Sequence, residues 1–289
     1  MSLLRDYLKE ARVHHYIKNL LVFLALICSG QLFQPELLLA AFWGFCAFCM
    51  LSSSIYVIND IRDVEKDRRH PTKCHRPIAA GRISIWSAWL FAAALLLLTA
   101  FFNCLVFQPK ATVLLVLYFV LNLGYSFGWK NVPLVDVTIL VSGFLLRILY
   151  GSFISGITLS NWLFLTCISL MFYLALGKRR NELRRIQSGE TRAVLQHYTE
   201  GFLDKNMYLC LALCNVFYAL WCMDSQTIAS YHTDSLVWTA PIVLLISMKY
   251  SLNVEGNSDG DPVEVLLHDR FLLLLCCAYA GLMLFILYR

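Results

Sequence analysis

Apolar runs of about 20 residues recur along this 289-residue chain, and ~20 residues is the helical length that crosses a bilayer's hydrocarbon core. Inside lipid the backbone finds no water, so spanning segments have to be helices or closed barrels. The runs are continuous rather than alternating, which selects helices. Nine candidate spans are read, at 20–34, 37–57, 84–107, 111–127, 134–154, 161–177, 207–225, 233–249 and 270–288. Composition agrees: 59% of residues are hydrophobic and 15% charged, against about 25% charged in an ordinary soluble domain. The predicted fold class is all-α: a polytopic membrane bundle of about nine transmembrane helices, forming a single domain over residues 1–289. Met1 to Asn19 is polar and charged, without the apolar core and cleavage site of a secretory signal. The first span is therefore read as retained.

Lys and Arg counts orient the bundle, because cytoplasmic loops carry an excess of both. With the N-terminus inside, 21 of the 24 Lys and Arg residues fall in inside segments. Lys110 and Arg289 fall outside, and Arg147 lies within the fifth span. The large loops at 58–83, 178–206 and 250–269 then share the cytoplasmic face. The expected location is the cell membrane (inner or plasma), with a site in a chamber open to the cytoplasm.

The net charge of +5 is spread over loops between spans rather than gathered in a basic domain, so a nucleic-acid partner is not expected. Of the 11 cysteines, all but Cys74 lie in or beside apolar runs. Cys46 and Cys49 form a C-x-x-C, but mid-span and without a second pair, so they are read as packing residues.

Chemistry concentrates in residues 58–82. Asp60, Asp63 and Asp67 stand at spacings of three and four, just after the second span. If the helix continues through 68, the three fall within about 60° of one face, with Asn59 at its edge. Like charges so placed repel, and a divalent cation offsets the repulsion. Magnesium takes oxygen ligands and is usually held by one or two carboxylates plus substrate phosphates. Arg62, Lys66, Arg68, Arg69, Lys73 and Arg76 interleave with or follow these acids. Pro71 and Pro77 stop the helix, leaving Lys73 and Arg76 between them as partners for diphosphate oxygens. The plainer alternative is a solvated loop whose acids pair with local bases.

Lys178-Arg179-Arg180-Asn181-Glu182 follows the sixth span. It reads either as topology signal alone or as a phosphate clamp, with Glu182 on the face of Lys178. Arg147 is expensive inside a span, and such residues face a cavity or a partner. Asp136 is about 16 Å away along a helix, too far for direct pairing. Gly143 and Gly151 flank Arg147 at four-residue spacing and would let a neighbouring helix approach closely.

Together these segments resemble the UbiA superfamily of intramembrane prenyltransferases. The likeness rests on NDIRDVEKD, an NDxxDxxxD motif, and on HHYIKNLLVF at 14–23, YVINDIRDVEKDRRHPTKCHRPIAAGRIS at 56–84 and YSFGWKNVPLVDV at 125–137. It continues through SGFLLRILYGSFISGITLSNWL at 142–163, LALGKRRNEL at 174–183 and GDPVEVLLHDR at 260–270. Ordinary members carry a second Asp-rich motif near the sixth span, where this chain has KRRNE. That swap is similar to the branch that transfers phosphoribosyl groups to polyprenyl phosphates. Cys74 and Gly128 depart from the branch's pattern.

The resemblance implies a magnesium-dependent transfer of 5-phosphoribose from phosphoribosyl diphosphate to a polyprenyl phosphate, releasing diphosphate. Asp60, Asp63 and Asp67 would be catalytic and hold Mg2+. Lys18, Asn19, Asn59, Lys73, Arg76, Tyr125, Lys130, Arg147, Lys178, Arg179 and Glu182 would line the substrates. It also implies lipid-linked pentose donors for cell-envelope polysaccharide, and homo-oligomers are compatible with it. Two rivals stand: an ordinary prenyltransferase acting on an isoprenoid diphosphate and an aromatic acceptor, and a non-enzymatic transporter or structural membrane protein.

Overall fold

The computed structural model describes residues 2–184, 193–256, 265, 266 and 268–288. Every regular element among them is helical. In chain order these are α1 (Ser2–Glu10), a 3-10 segment (Val13–Phe23) running into α2 (Leu24–Cys28), α3 (Pro35–Arg62) and α4 (Val64–Arg68). There follow α5 (Ile85–Leu105), α6 (Pro109–Ser126), α7 (Val135–Ser155), α8 (Asn161–Arg184) and α9 (Glu200–Met223). The last are α10 (Ser225–Tyr231), α11 (Ala240–Glu255) and α12 (Arg270–Leu287). Eight helices are long and apolar enough to cross a membrane, and Leu3–Glu10 with Val13–Cys28 forms a ninth candidate bent by 45°. The chain is an integral membrane protein, and large apolar side chains such as Trp86, Leu97 and Phe285 are exposed on its surface.

The ends of these helices are set locally. Pro35 and Pro109 each open a helix, where a missing N–H costs nothing. Ser84, Thr199, Asp224 and Asp269 accept a backbone N–H three residues on, satisfying donors the helix itself leaves open.

The chain forms two compact units. The first comprises Met1–Ile27, Gln31–Phe127 and Leu146–Thr158. Phe48 is its centre, meeting the rings of Tyr118 and Tyr150 edge-on at 5.2 and 5.1 Å. Ala88 and Ala92 bring α5 close against Val57, Ile61 and Val64, the small-residue contact that membrane helices favour. Gly151 makes the closest approach: a Cβ there would overlap the carbonyl of Val22. The second unit comprises Cys28–Gly30, Gly128–Leu145 and Leu159–Arg289. Its core gathers Tyr218, Trp221, Leu236, Met283 and Leu287.

Two expectations are corrected. The first candidate span, 20–34, is displaced: its place is taken by the 3-10 segment and α2, which end at Cys28. Gly30 then turns the chain at φ 74°, and Pro35 begins the next helix. The Asp segment is also not one continuous helix. α3 stops at Arg62, Asp63 sits at φ −91°, ψ 10°, and α4 starts afresh at Val64.

Candidate active site

The break at Asp63 changes how the three acids are presented. Asp60 ends up 3% exposed and Asp67 4% exposed, while Asp63 is half-buried at the joint. Val64 packs into the same core as Ile61 and Ile78, which rolls α4 so that Asp67 turns inward. Arg76 joins the two buried acids: its Nη1 lies 3.0 Å from Asp60 Oδ1 and 2.6 Å from Asp67 Oδ2. The loop carrying Arg76 is itself tied down. Arg68 Nε donates to the Ala79 carbonyl at 3.4 Å, and Arg82 to the His75 carbonyl at 3.0 Å. Lys73, in a short 3-10 turn, is half-buried beside it.

A second arginine reaches Asp60 from the N-terminus. Arg12 Nη2 donates to both Asp60 oxygens at 2.7 Å, and its guanidinium lies 4.6 Å from the Tyr56 ring centre. Arg12 has a left-handed backbone, φ 52°, ψ 49°, an uncommon conformation for a residue with a Cβ. The turn is pinned by Ser53 Oγ, which donates to the Ala11 carbonyl at 2.7 Å. It also brings Glu10 inward, 2% exposed, beside Asp60. Glu10 belongs to the polar α1, ahead of the apolar segment. Sequence reading missed Glu10 and gave Arg12 only a topological role, because nothing local signals proximity to a residue about 50 positions away.

The donor set fits a hard divalent cation. It is all oxygen: Asp60, Asp63, Asp67 and the Asn59 Oδ1, which is buried without a hydrogen-bond donor. Among the described residues no three acids, histidines or cysteines stand close enough to hold a metal by themselves.

Deeper in the same unit, Arg147 Nε donates to Asn19 Oδ1 at 2.7 Å and Nη2 to the Tyr118 hydroxyl at 2.8 Å. Its guanidinium also lies over the Tyr118 and Phe48 rings. Asn19 in turn donates to Ser52 Oγ and Cys49 Sγ. Arg147 and Asn19, expected at a substrate, thus form a buried network among helices. Lys18 and Tyr125 are half-buried in this unit.

The basic segment belongs to the second unit, with Lys130. Lys130 and Lys178 are half-buried. Arg179 is not at the surface: its Nε lies 2.6 Å from Asp136 Oδ2 and its Nη1 2.7 Å from Glu182 Oε2. Arg180 is also buried, against Asp204. The Tyr198 hydroxyl donates to the other Asp136 oxygen at 2.7 Å. Burial and that hydrogen bond push the hydroxyl up to about 12. Arg179 is thus buried between Asp136 and Glu182, and Glu182 is half-buried. In the tail segment, residues 260–264 and 267 lie outside the described residues.

Residues 20–254 match the UbiA prenyltransferase family, and the chain belongs to that family. It is 34% identical over 281 residues to decaprenyl-phosphate phosphoribosyltransferase of Corynebacterium glutamicum, covering 94% of this chain and 83% of that one. It is 33% identical over 297 residues to the protein of the same name in Mycolicibacterium smegmatis, covering 97% and 92%. Among solved structures, a UbiA homologue from Archaeoglobus fulgidus bound to GPP and Mg2+ superposes with TM-score 0.73 at 17% identity, covering 98% of this chain and 99% of that one. That likeness shows the fold.

Proposed function

We propose that this chain transfers 5-phosphoribose from phosphoribosyl diphosphate to a polyprenyl phosphate, acting as one catalytic domain. The observation that carries the reading is the acid–arginine cluster of Asn59, Asp60, Asp67, Arg12 and Arg76. Its carboxylate and amide oxygens, beside guanidinium groups suited to phosphate, support this reading. The relatives named decaprenyl-phosphate phosphoribosyltransferase, similar over nearly all of the chain, support the choice of donor and acceptor.

Asp60, Asp63, Asp67 and Asn59 would hold Mg2+ on the donor diphosphate. When bound, such an ion would supply charge withdrawal from the leaving group. Arg76, Lys73, Arg12 and Lys18 are assigned to the donor's phosphates, and Lys130, Lys178 and Tyr125 to the remaining phosphate and the acceptor. Arg179, buried against Asp136, and the half-buried Glu182 fix the end of α8 that carries Lys178. An oxygen of the acceptor phosphate attacks ribose C1 as the C1–O bond to diphosphate breaks. The acceptor is already an anion, so no general base is required. Placement of the site on the cytoplasmic side is supported by the 21 of 24 basic residues on that side of the predicted topology. The product would serve as a lipid-linked pentose donor for cell-envelope polysaccharide.

The test is a transfer assay with purified protein in detergent, labelled phosphoribosyl diphosphate and a polyprenyl phosphate. Magnesium-dependent label in the lipid phase, lost with EDTA and in Asp63→Asn, is expected. Near-normal transfer by Asp63→Asn would remove the acid cluster from the reaction.

A further inference from the structure

The side chains of α1 (Ser2–Glu10) fall into strips. At about 100° per residue, Leu4 and Leu8 share one strip, Arg5 and Lys9 the next, and Asp6 and Glu10 the one after. The protein takes up the acidic side. Asp6 Oδ1 accepts from Arg82 Nε at 3.0 Å, Tyr7 meets the Phe91 ring edge-on at 4.9 Å, and Glu10 is buried. The other two strips face away from it: Leu4, Leu8, Arg5 and Lys9 are all exposed.

Five of the nine residues of α1 are polar or charged, too many for a helix among acyl chains. A helix meant for water alone would carry polar side chains, not paired leucines, on its outer face. The exposed apolar row also continues past α1, through Val13, Ile17 and Leu20. Those residues belong to Val13–Cys28, the apolar arm of the bent candidate span, from which α1 departs at 45°. Both acids of α1 lie on the protein side, so the charges on its outer face are bases alone. An apolar strip beside a basic one, on a helix continuous with a span, matches a bilayer surface that bears anionic headgroups.

We infer that α1 is an interfacial helix that docks on anionic phospholipid in the leaflet it meets, the cytoplasmic one in the predicted topology. Leu4 and Leu8 enter the boundary of the acyl chains, and Arg5 and Lys9 pair with headgroup phosphates. Docking steadies more than α1 itself. Directly after the helix, Ala11 is held by Ser53 and Arg12 reaches Asp60, so lipid on the outer face of α1 helps keep the Arg12 turn in place.

The test is amide hydrogen exchange, read by mass spectrometry, on full-length protein in lipid nanodiscs holding one chain each. One set of discs is phosphatidylcholine alone, and the other contains phosphatidylglycerol as well. Wild-type amides of residues 2–10 should exchange roughly fivefold or more slowly with phosphatidylglycerol present, the worth of one basic residue at an anionic surface. Arg5→Gln/Lys9→Gln should lose that difference, and Leu4→Ser/Leu8→Ser should exchange faster in both lipids. Amides of α9 should exchange alike throughout, which reports an intact fold. Equal wild-type exchange of residues 2–10 in the two lipids would overturn anionic docking without recourse to any variant. Unchanged exchange in Leu4→Ser/Leu8→Ser would take the leucines out of the bilayer and overturn it as well. Slow exchange found only in discs that hold two chains would assign the face to a second copy and overturn it too.

Discussion

Arg179 Nε lies 2.6 Å from Asp136 Oδ2, and both side chains are 0% exposed. Asp136 stands at the start of α7 and Arg179 near the end of α8. Tyr198 closes the arrangement, donating to Asp136 and accepting from the backbone N–H of Leu134 at 2.6 Å. Leu134 is itself left-handed, φ 66°, and this hydrogen bond helps hold it. A basic residue that reads as a phosphate ligand is thus a structural tie inside the second unit.

Removing one member of such a pair leaves the other charged and buried. Arg179→Ala or Asp136→Asn should therefore destabilise the protein by about 3–5 kcal/mol, read as a large fall in melting temperature in detergent. Lys178→Ala, one residue earlier and half-buried, should melt like the wild type and raise KM for the donor. An Arg179→Ala variant that melts normally but loses donor affinity would return Arg179 to the substrate.

Gly151 has no room for a methyl group, because Val22's backbone carbonyl occupies the space. Backbone cannot rotate away as a side chain can. Gly151→Ala should cost roughly 3 kcal/mol, the upper end of overpacking penalties, by prising the 3-10 segment off α7. Gly281, in α12, has nothing within 4 Å of a built Cβ, and Gly281→Ala should be neutral or slightly stabilising. Equal melting temperatures for the two variants would contradict this packing.

Asp269 caps α12 by accepting from the Leu272 N–H, and lies 2.7 Å from Lys249. The hydrogen bond from Lys249 is the main reason its carboxyl is held down from 3.8 to about 2. A depressed carboxyl stabilises the fold above its unfolded pKa, and that contribution is lost as pH falls through the folded value. Asp269→Asn should therefore melt lower than wild type at neutral pH, and the gap should close between about pH 4 and pH 2. Added salt should narrow the gap too, because the pair is solvent-accessible. A gap independent of pH would mean that only the cap matters.

The spans were legible because lipid imposes length and continuity on each apolar run. The exception is instructive. Residues 20–28 offer only a short apolar stretch after Lys18 and Asn19, and the structure spends it on a 3-10 segment that Gly151 receives. The acid motif was legible as chemistry, but its shape was not. Nothing in INDIRDVEKD breaks a helix by propensity; burial of Val64 and the shared hold of Arg76 on Asp60 and Asp67 do so. Asp136 was weighed only against Arg147, which is anchored instead by Asn19 and Tyr118. Such pairings join distant parts of the chain, and no periodicity records them.

The central claim is the choice of donor, and competition between donors tests it most directly. Purified protein with Mg2+ would receive phosphoribosyl diphosphate and a prenyl diphosphate together, with a polyprenyl phosphate and an aromatic acceptor both present. The account predicts consumption of phosphoribosyl diphosphate alone, one diphosphate released for each ribose entering the lipid phase. Consumption of the prenyl diphosphate, with the isoprenoid on the aromatic acceptor, would contradict it and make this chain an ordinary prenyltransferase.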